Sequence, residues 1–311
     1  MSIIEKKGKR KKEELAVGSV IFNILNYAVF AFITFLCIYP FYYLIINTIS
    51  ANDMSANGVI NFYPQHIHFK NYVDILKISG LSRAAFISLS RTIIGTAFTV
   101  IASGFLGYMF TQQKMWKRKF WYRYFIITMY FNAGLIPVFI IMLNIGLVNN
   151  FWVYIVPAIV QPFFVILAKT YVESIPSALQ EAAEIDGAGV LRIFIQIILP
   201  ISLPILATIA IFAAVGQWNS FYDVLIYVSK ESLQPLQYIL YKYINQSNSL
   251  AMLIRNSTGL SGQTIASLAT QQTPTSVRMT VSVIVVFPIL LVYPFFQRYF
   301  VKGIMIGAVK G

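Results

Sequence analysis

The sequence has few charged residues for its length. Of its 311 residues, only 11% are Asp, Glu, Lys or Arg, whereas 58% are hydrophobic. A soluble domain carries about 25% charged residues, because charges cover much of the surface that water contacts. The single cysteine, Cys37, excludes a disulfide-stabilised secreted scaffold, and an aromatic content of 15% excludes a disordered chain. An integral membrane protein remains, with lipid as its outer solvent.

Residue types that catalyse reactions or bind cofactors are also scarce. The only histidines, His66 and His68, have no companion Cys/His set that would bind a metal. The sequence shows no nucleophile–base pair, and it has no Gly-x-x-x-x-Gly-Lys-Ser/Thr loop for the phosphates of ATP. We therefore expect neither a cofactor in this chain nor an enzymatic activity of its own.

Charge-free runs predict six membrane-spanning helices. Five runs of 38, 22, 45, 30 and 19 residues lack Asp, Glu, Lys and Arg, and one crossing needs about 20 apolar residues. The longest run allows two crossings, separated at 144–150 by Gly and Asn residues that favour a turn. An all-α polytopic fold follows, because backbone polar groups in lipid must be satisfied within helices and the alternation of barrel strands is absent. The predicted spans are 20–48, 86–110, 120–143, 152–172, 201–228 and 277–300.

The distribution of Lys and Arg predicts the orientation. With the N-terminus inside, 16 of the 24 Lys and Arg residues lie in cytoplasmic segments or at the adjoining helix ends. The basic N-terminus then acts as a topology anchor beside anionic lipid rather than as a nucleic-acid-binding arm. We expect a plasma-membrane protein with both termini in the cytoplasm. The cytoplasmic segments are 1–19, 111–119, 173–200 and 301–311, and the large outer loops are 49–85 and 229–276.

The predicted cytoplasmic loop 173–200 differs from the others because it is acidic. Residues 177–186 favour a helix that small Ala side chains keep slim, and Gly187 and Gly189 favour its termination. The sequence predicts a short helix parallel to the membrane, of a kind that suits insertion into a cleft on another protein. Four of the eleven acidic residues of the chain lie in this loop, namely Glu173, Glu181, Glu184 and Asp186.

The spacing of residues in this loop resembles the EAA loop of ABC importer permeases. Glu181-Ala182-Ala183 is followed at the spacing of that motif by Gly187, Ile197 and Leu199-Pro200. The surrounding residues resemble the carbohydrate branch, of the maltose-permease MalG type. The tail Tyr293–Gly303 resembles the LplC/YtcP-like subset common in Gram-positive bacteria. The resemblance extends over essentially the whole chain after the basic N-terminus.

The resemblance implies a type I importer (MetI-like) fold and a set of partners. Two permease subunits, usually different chains, pair in the membrane above two cytoplasmic ATPase subunits, which bind ATP and Mg²⁺. An extracellular substrate-binding lipoprotein delivers the cargo, and the outer loop 229–276 is expected to contact it. The acidic helix would be the coupling helix, with Glu181 meeting a basic residue of the ATPase. The expected coupling residues are Ser177, Glu181, Ala182, Ala183, Glu184, Asp186 and Gly187.

A route for an oligosaccharide needs polar groups for sugar hydroxyls and aromatic rings for stacking. Polar residues in membrane helices usually face the bundle or a cavity. The alternative for Asn132 and Asn219 is a hydrogen bond between helices, and the alternative for Asp223 is simple hydration near a helix end. The candidate pathway residues are Asn132, Gln217, Trp218, Asn219, Phe221, Tyr222 and Asp223.

The sequence therefore favours ATP-driven import of an oligosaccharide, with two alternatives. The same fold could import glycerol phosphate, a peptide or an amino acid, although we expect no Lys or Arg in mid-span to bind a phosphate. An ion-coupled secondary carrier would need a buried acid or a broken helix, and no acid is expected in mid-span.

Overall fold

The computed structural model describes residues 17–77, 79–245 and 274–303, and within these ranges the chain folds into helices without any β-strand. Single turns of 3₁₀ helix occur at Phe151–Tyr154, Val156–Ala158 and Glu231–Leu233. The helices are α1 (Val17–Thr48), α2 (Asn52–Ala56), α3 (Lys70–Leu76), α4 (Leu81–Met109), α5 (Arg118–Tyr130), α6 (Leu135–Asn144), α7 (Pro162–Glu173), α8 (Ala178–Ile185), α9 (Val190–Ile201, with a π-helical turn), α10 (Leu203–Asn219), α11 (Tyr222–Tyr227), α12 (236–245) and α13 (Pro274–Gly303).

Three of these helices, α1, α4 and α13, are long and apolar enough to cross a membrane alone. Three further segments reach that length only as bent pairs: α5 with α6, the 3₁₀ turns at 151–158 with α7, and α9 with α10. Counted as one span each, these pairs bring the described residues to as many as six crossings by length and composition. The all-helical, six-span fold class predicted from the charge-free runs is confirmed at this level.

Three predicted spans are not continuous helices. The segment 120–143 breaks after α5, and the axes of α5 and α6 form a bend of 114°. Gly134, just before α6, permits this bend because it adopts a φ of 87°. The segment 152–172 opens with 3₁₀ turns, and its α-helix starts only at Pro162, with a bend of 46°. The segment 201–228 stops at Asn219 and resumes as α11. Pro162 explains the late start of α7. A proline has no N–H to donate to the preceding turn, so a helix begins at a proline more readily than it continues through one.

Helix α4 lies at the centre of the bundle, against α7 and α10. Glycines on α4 face both neighbours. A Cβ at Gly107 would lie 2.7 Å from the Ala168 Cβ of α7, and one at Gly104 would lie 3.1 Å from the Leu206 side chain of α10. Such small residues let helix backbones approach closely in lipid, where packing replaces the hydrophobic effect. At the edge, α1 packs on α13 and leaves most of its apolar side chains exposed.

Two ends of the bundle can be distinguished. The end formed by 110–119 and 174–189 is called the basic end, after the Lys and Arg residues concentrated in 110–119, and the end formed by 49–80, 145–151 and 228–245 is called the opposite end. At the opposite end, the buried Asn47 amide donates to the Ile60 carbonyl at 3.2 Å and accepts from the Ser55 hydroxyl at 2.8 Å. Asn71 donates to the Thr48 carbonyl at 2.9 Å. These bonds fix the predicted outer loop 49–85 to the end of α1.

We expect Gly107→Ala to lower the stability of the protein by about 1–3 kcal/mol, because the added methyl group meets backbone and Cβ atoms of α7 that cannot rotate away. Gly216→Ala is the matched control, since its Cβ would meet no atom within 4 Å. Thermal melting of both variants in detergent measures the difference. Equal melting temperatures for Gly107→Ala and the unmodified protein would contradict the close approach of α4 and α7.

Candidate functional site

Helix α8 protrudes from the basic end, and none of its residues is buried. The Ser177 carbonyl opens the helix by accepting hydrogen bonds from the amides of Gln180 and Glu181 at 2.9 and 3.0 Å. The helix ends in a Schellman motif, in which the Ala188 amide donates to the Ala183 carbonyl at 2.9 Å. Gly187 supplies the left-handed residue of this motif, with a φ of 79°. The helix predicted over 177–186 therefore forms at 178–185.

One face of α8 is attached to the bundle. Ala183 of α8 and Ala188, just after its end, pack on a buried cluster that includes Tyr108 of α4, Val172 of α7 and Phe194 of α9. The rings of Tyr108 and Phe194 stack with centroids 5.5 Å apart. Because the cluster joins three long segments, a force on α8 acts on all of them at once.

Polar contacts join α8 to the neighbouring segment 111–119. Lys114 Nζ lies 2.6 Å from Glu184 Oε2, and Gln112 Nε2 donates to Gln180 Oε1 at 3.0 Å. Glu184 thus has a partner within the chain. Sequence reasoning did not anticipate these contacts, because they join residues about 70 positions apart.

The outer face of α8 carries groups that the described chain leaves unpaired. Glu181 and Asp186 are exposed and form no ion pair within 17–77, 79–245 and 274–303. Ile185, which precedes Asp186 in the sequence, is 87% exposed. Ala182 is small and exposed as well. Two carboxylates beside an exposed aliphatic side chain form a surface complementary to a cleft that has basic and apolar walls.

A second feature is a cavity of about 220 Å³ towards the opposite end, between α4, α10 and the 3₁₀ turns. It contains two of the predicted pathway residues, Gln217 and Asp223. Its polar lining consists of Arg91, Thr99, Tyr154, Gln161, Gln217, Ser220 and Asp223.

The Arg91 side chain is the centre of this cavity and is only 2% exposed. Its Nη2 lies 2.5 Å from Asp223 Oδ2, and its Nε donates to Gln217 Oε1 at 3.2 Å. Its Nη1 donates to the Ser220 carbonyl at 3.3 Å, and the guanidinium lies 4.3 Å from the centroid of the Tyr154 ring. Each guanidinium nitrogen therefore has an acceptor, and the carboxylate neutralises the buried charge. The Ser220 carbonyl is one that the break between α10 and α11 leaves without a helical partner.

Gln217 ties the same network to a third segment. Its Nε2 donates to the Tyr154 carbonyl at 3.1 Å. Gly95 makes room for this amide, because a Cβ at that position would lie 2.8 Å from Gln217 Nε2. Helix α4, helix α10 and the 3₁₀ turns thus meet at one polar point within an apolar bundle.

The remaining predicted pathway residues do not line this cavity. Trp218 is buried, and its indole N–H donates to the Val285 carbonyl of α13 at 3.0 Å. Asn219 Oδ1 accepts from Gln237 at 3.0 Å, and Phe221 stacks on Tyr241 at 4.9 Å. Tyr222 is exposed.

Asn132 lies apart from the cavity, at the break between α5 and α6. Its Oδ1 accepts from the Gly134 amide at 2.9 Å, and its side chain is exposed. The asparagine caps a turn there rather than facing the other predicted pathway residues.

Arg91 is the functional candidate that sequence reasoning missed. In sequence it marks the edge of a charge-free run, whereas the structure places it ten residues inside α4 and buries it. The expectation that no Lys or Arg lies in mid-span remains a prediction, but Arg91 shows that a buried cation lies well inside a predicted span. The alternative of simple hydration does not describe Asp223, because its side chain is 20% exposed and paired with Arg91. The sequence does contain a signal for this pair. Arg91 and Asp223 carry opposite charges, and each lies at the end of a charge-free run.

Comparison with known proteins shows which family this chain resembles. Residues 100–306 match the family model described as "Binding-protein-dependent transport system inner membrane component". The permease YtcP of the polygalacturonan/rhamnogalacturonan transport system of Bacillus subtilis is 30% identical over 94% of this chain and 99% of its own. Protein LplC of the same organism is 29% identical over 94% and 95%. A solved chain of a bacterial ABC transporter for the acidic polysaccharide alginate has a TM-score of 0.79 and 26% identity, covering 92% of this chain and 98% of that one.

We expect Asp223→Asn to destabilise the protein more than Arg91→Met. The Asn variant leaves a buried guanidinium without its anion, which costs about 3–5 kcal/mol, whereas Asp223 without Arg91 has some access to water. The double variant should be more stable than the sum of the two single effects predicts. Thermal melting of the four proteins in the same detergent completes the cycle. Strictly additive effects would show that the two charges do not interact.

Proposed function

Because the chain belongs to the family of binding-protein-dependent transport system inner membrane components, we propose that it is the membrane permease subunit of an ABC importer for oligosaccharides. Two names support this cargo class, since YtcP belongs to a polygalacturonan/rhamnogalacturonan system and the solved relative belongs to an alginate importer. The observation that carries the proposal is α8, a rigidly attached helix with an acidic outer face.

In the proposed orientation, the basic end and α8 lie in the cytoplasm. Five Lys and Arg residues lie between 111 and 123, as the positive-inside rule requires of a cytoplasmic segment. Helix α1 then starts inside, and α13 ends inside. The Bacillus relatives favour the plasma membrane of a Gram-positive bacterium as the location.

The proposed complex contains a second permease, two ATPase subunits and an extracellular substrate-binding lipoprotein. ATP and Mg²⁺ belong to the ATPases, because this sequence has no phosphate-binding loop. The exposed apolar side chains of α1 favour contact with lipid and the second permease. Of the loop 229–276, proposed to meet the lipoprotein, residues 246–273 lie outside the described part of the chain.

Each proposed coupling residue has a definite role. Ser177 opens α8, Ala183 attaches it to the Tyr108–Phe194 cluster, and Gly187 ends it. Glu184 holds the helix to Lys114. Glu181, Ala182 and Asp186 form the exposed outer face that contacts the ATPase.

The mechanism is a two-state change in helix packing. ATP binding closes the ATPase pair and moves α8 as a rigid body, and the cluster transmits this displacement to α4, α7 and α9. Farther along α4, towards the opposite end, Arg91 connects to the break between α10 and α11. Movement at the cytoplasmic end therefore alters the packing around the cavity, and loaded binding protein favours the same change from outside.

Within the cavity, Gln217 is proposed to exchange its hydrogen bonds with Arg91 and Tyr154 for bonds to sugar hydroxyls, and Asp223 balances the positive charge of Arg91. Trp218, Asn219 and Phe221 position α10 and its outer end through their contacts with α12 and α13. Asn132 and Tyr222 are exposed and are proposed to face the second permease.

The charge balance of the cavity bears on the alternatives. A phosphate cargo would need a free cation, whereas each nitrogen of Arg91 already has an acceptor. The broken helices meet one requirement of an ion-coupled carrier, but Asp223 is held by Arg91 and is not available as an ion site. A neutral, hydroxyl-rich cargo group fits this lining best.

We expect Glu181→Lys to reduce cargo-stimulated ATP hydrolysis at least tenfold, because it reverses the charge at the proposed ATPase contact. Glu173→Lys is the matched control, since Glu173 is also acidic and exposed but lies at the end of α7. The measurement uses the four-subunit complex in proteoliposomes with cargo-loaded binding protein. Full stimulation in Glu181→Lys, or an equal loss in the control, would contradict the role of α8.

A further inference from the structure

A basic cavity of about 730 Å³ lies where the segment 111–119 meets the start of α5. Four cations line it, and no Asp or Glu is among its lining residues. Like charges in one concave site repel each other unless an anion lies between them. The cationic residues are Lys117, Arg118, Lys119 and Arg123.

These cations have few partners within the described chain. Lys119 and Arg123 are exposed and form no ion pair in 17–77, 79–245 or 274–303. Arg118 uses one nitrogen on the Thr111 carbonyl at 2.6 Å, and Lys117 lies 4.8 Å from the Trp116 ring centroid. Lys114, by contrast, is paired with Glu184. Within the described part of the chain, no acidic side chain compensates the charge of Lys119 and Arg123.

The surroundings of the cavity match the border between lipid and water. Trp116 is 69% exposed, and Phe120 and Trp121 are exposed beside it. Tryptophan is enriched at this border because its ring suits headgroup level. From the cavity, α5 runs on with no buried residue, so acyl chains have an unobstructed protein surface to follow.

We propose that this cavity binds the phosphate headgroup of an anionic phospholipid. Its basic side chains supply the charge for the phosphate, and the exposed aromatic side chains and α5 accommodate the glycerol and acyl chains. The proposal depends on the membrane embedding of the chain and not on the identity of its cargo.

Occupancy of this site acts on the proposed coupling helix. The segment 111–119, which carries Lys117 and Lys119, also holds α8 through the pairs Lys114–Glu184 and Gln112–Gln180. A lipid that fixes this segment also fixes α8. Anionic lipid is therefore expected to strengthen the link between ATP hydrolysis and transport.

The test compares the double variant Lys119→Gln/Arg123→Gln with the control Lys70→Gln/Lys230→Gln, which removes the same charge from exposed positions at the opposite end. The four-subunit complex is placed in phosphatidylcholine nanodiscs with increasing phosphatidylglycerol, and retained lipid is measured by native mass spectrometry. The site variant should bind phosphatidylglycerol ~30-fold more weakly, the factor expected for two interfacial cations. The control should bind like the unmodified complex.

Two further measurements test whether the bound phosphate belongs to a lipid and whether the site variant is folded. Inorganic phosphate and glycerol phosphate, added in solution, should not displace the lipid, and displacement by either would overturn the proposal in favour of a free phosphate site. The site variant should melt like the unmodified complex in pure phosphatidylcholine. Unchanged lipid binding by the site variant, or equal loss in the control, would also overturn the proposal.

Discussion

The close packing of α4 against α7 and α10 is the constraint on which both sites depend. Tyr108, near one end of α4, supports α8, and Arg91, towards the other end, holds the break after α10. The two are seventeen positions apart, which is ~25 Å along a helix. Because glycines bring α4 against its neighbours, the helix can connect the sites as one rigid element.

The buried Arg91–Asp223 pair has a structural reason within an apolar bundle. A helix that breaks inside a membrane frees backbone carbonyls, and lipid offers them no hydrogen bond. The guanidinium satisfies one such carbonyl at Ser220 while Asp223 balances its charge. A buried ion pair of this kind adds little to the stability of the protein, but it specifies which segments pack against each other. The break after α10 is thereby held at a fixed place against α4.

The sequence predicts some elements well because their causes are local. Charge-free runs indicate the number of crossings, since lipid excludes charge wherever it contacts the chain. Helix α8 forms within one residue of each predicted end, because Ser177 and Gly187 act through their own backbone. The pairing of Arg91 with Asp223 spans 132 positions and has no local cause. The breaks at 131–134 and 220–221 lie inside apolar runs, where composition does not change.

The proposed pathway residues likewise combine features that the sequence predicts with features that depend on the fold. Composition singles out polar and aromatic side chains of α10 and its outer end, but it does not show which way each one faces. Trp218 turns to α13 and Gln217 to the cavity, although they are neighbours in sequence. Their separation follows from helix geometry, in which adjacent residues point about 100° apart.

The most direct test places single cysteines at the two ends of the bundle in a chain that carries Cys37→Ala. Glu181→Cys should cross-link to the ATPase subunit, and it should resist a membrane-impermeant maleimide until the cells are opened. Lys230→Cys, at the opposite end, should react in intact cells. Labelling of Glu181→Cys from outside, or its failure to cross-link to any ATPase in the assembled complex, would contradict a cytoplasmic helix that transmits the work of ATP to the membrane.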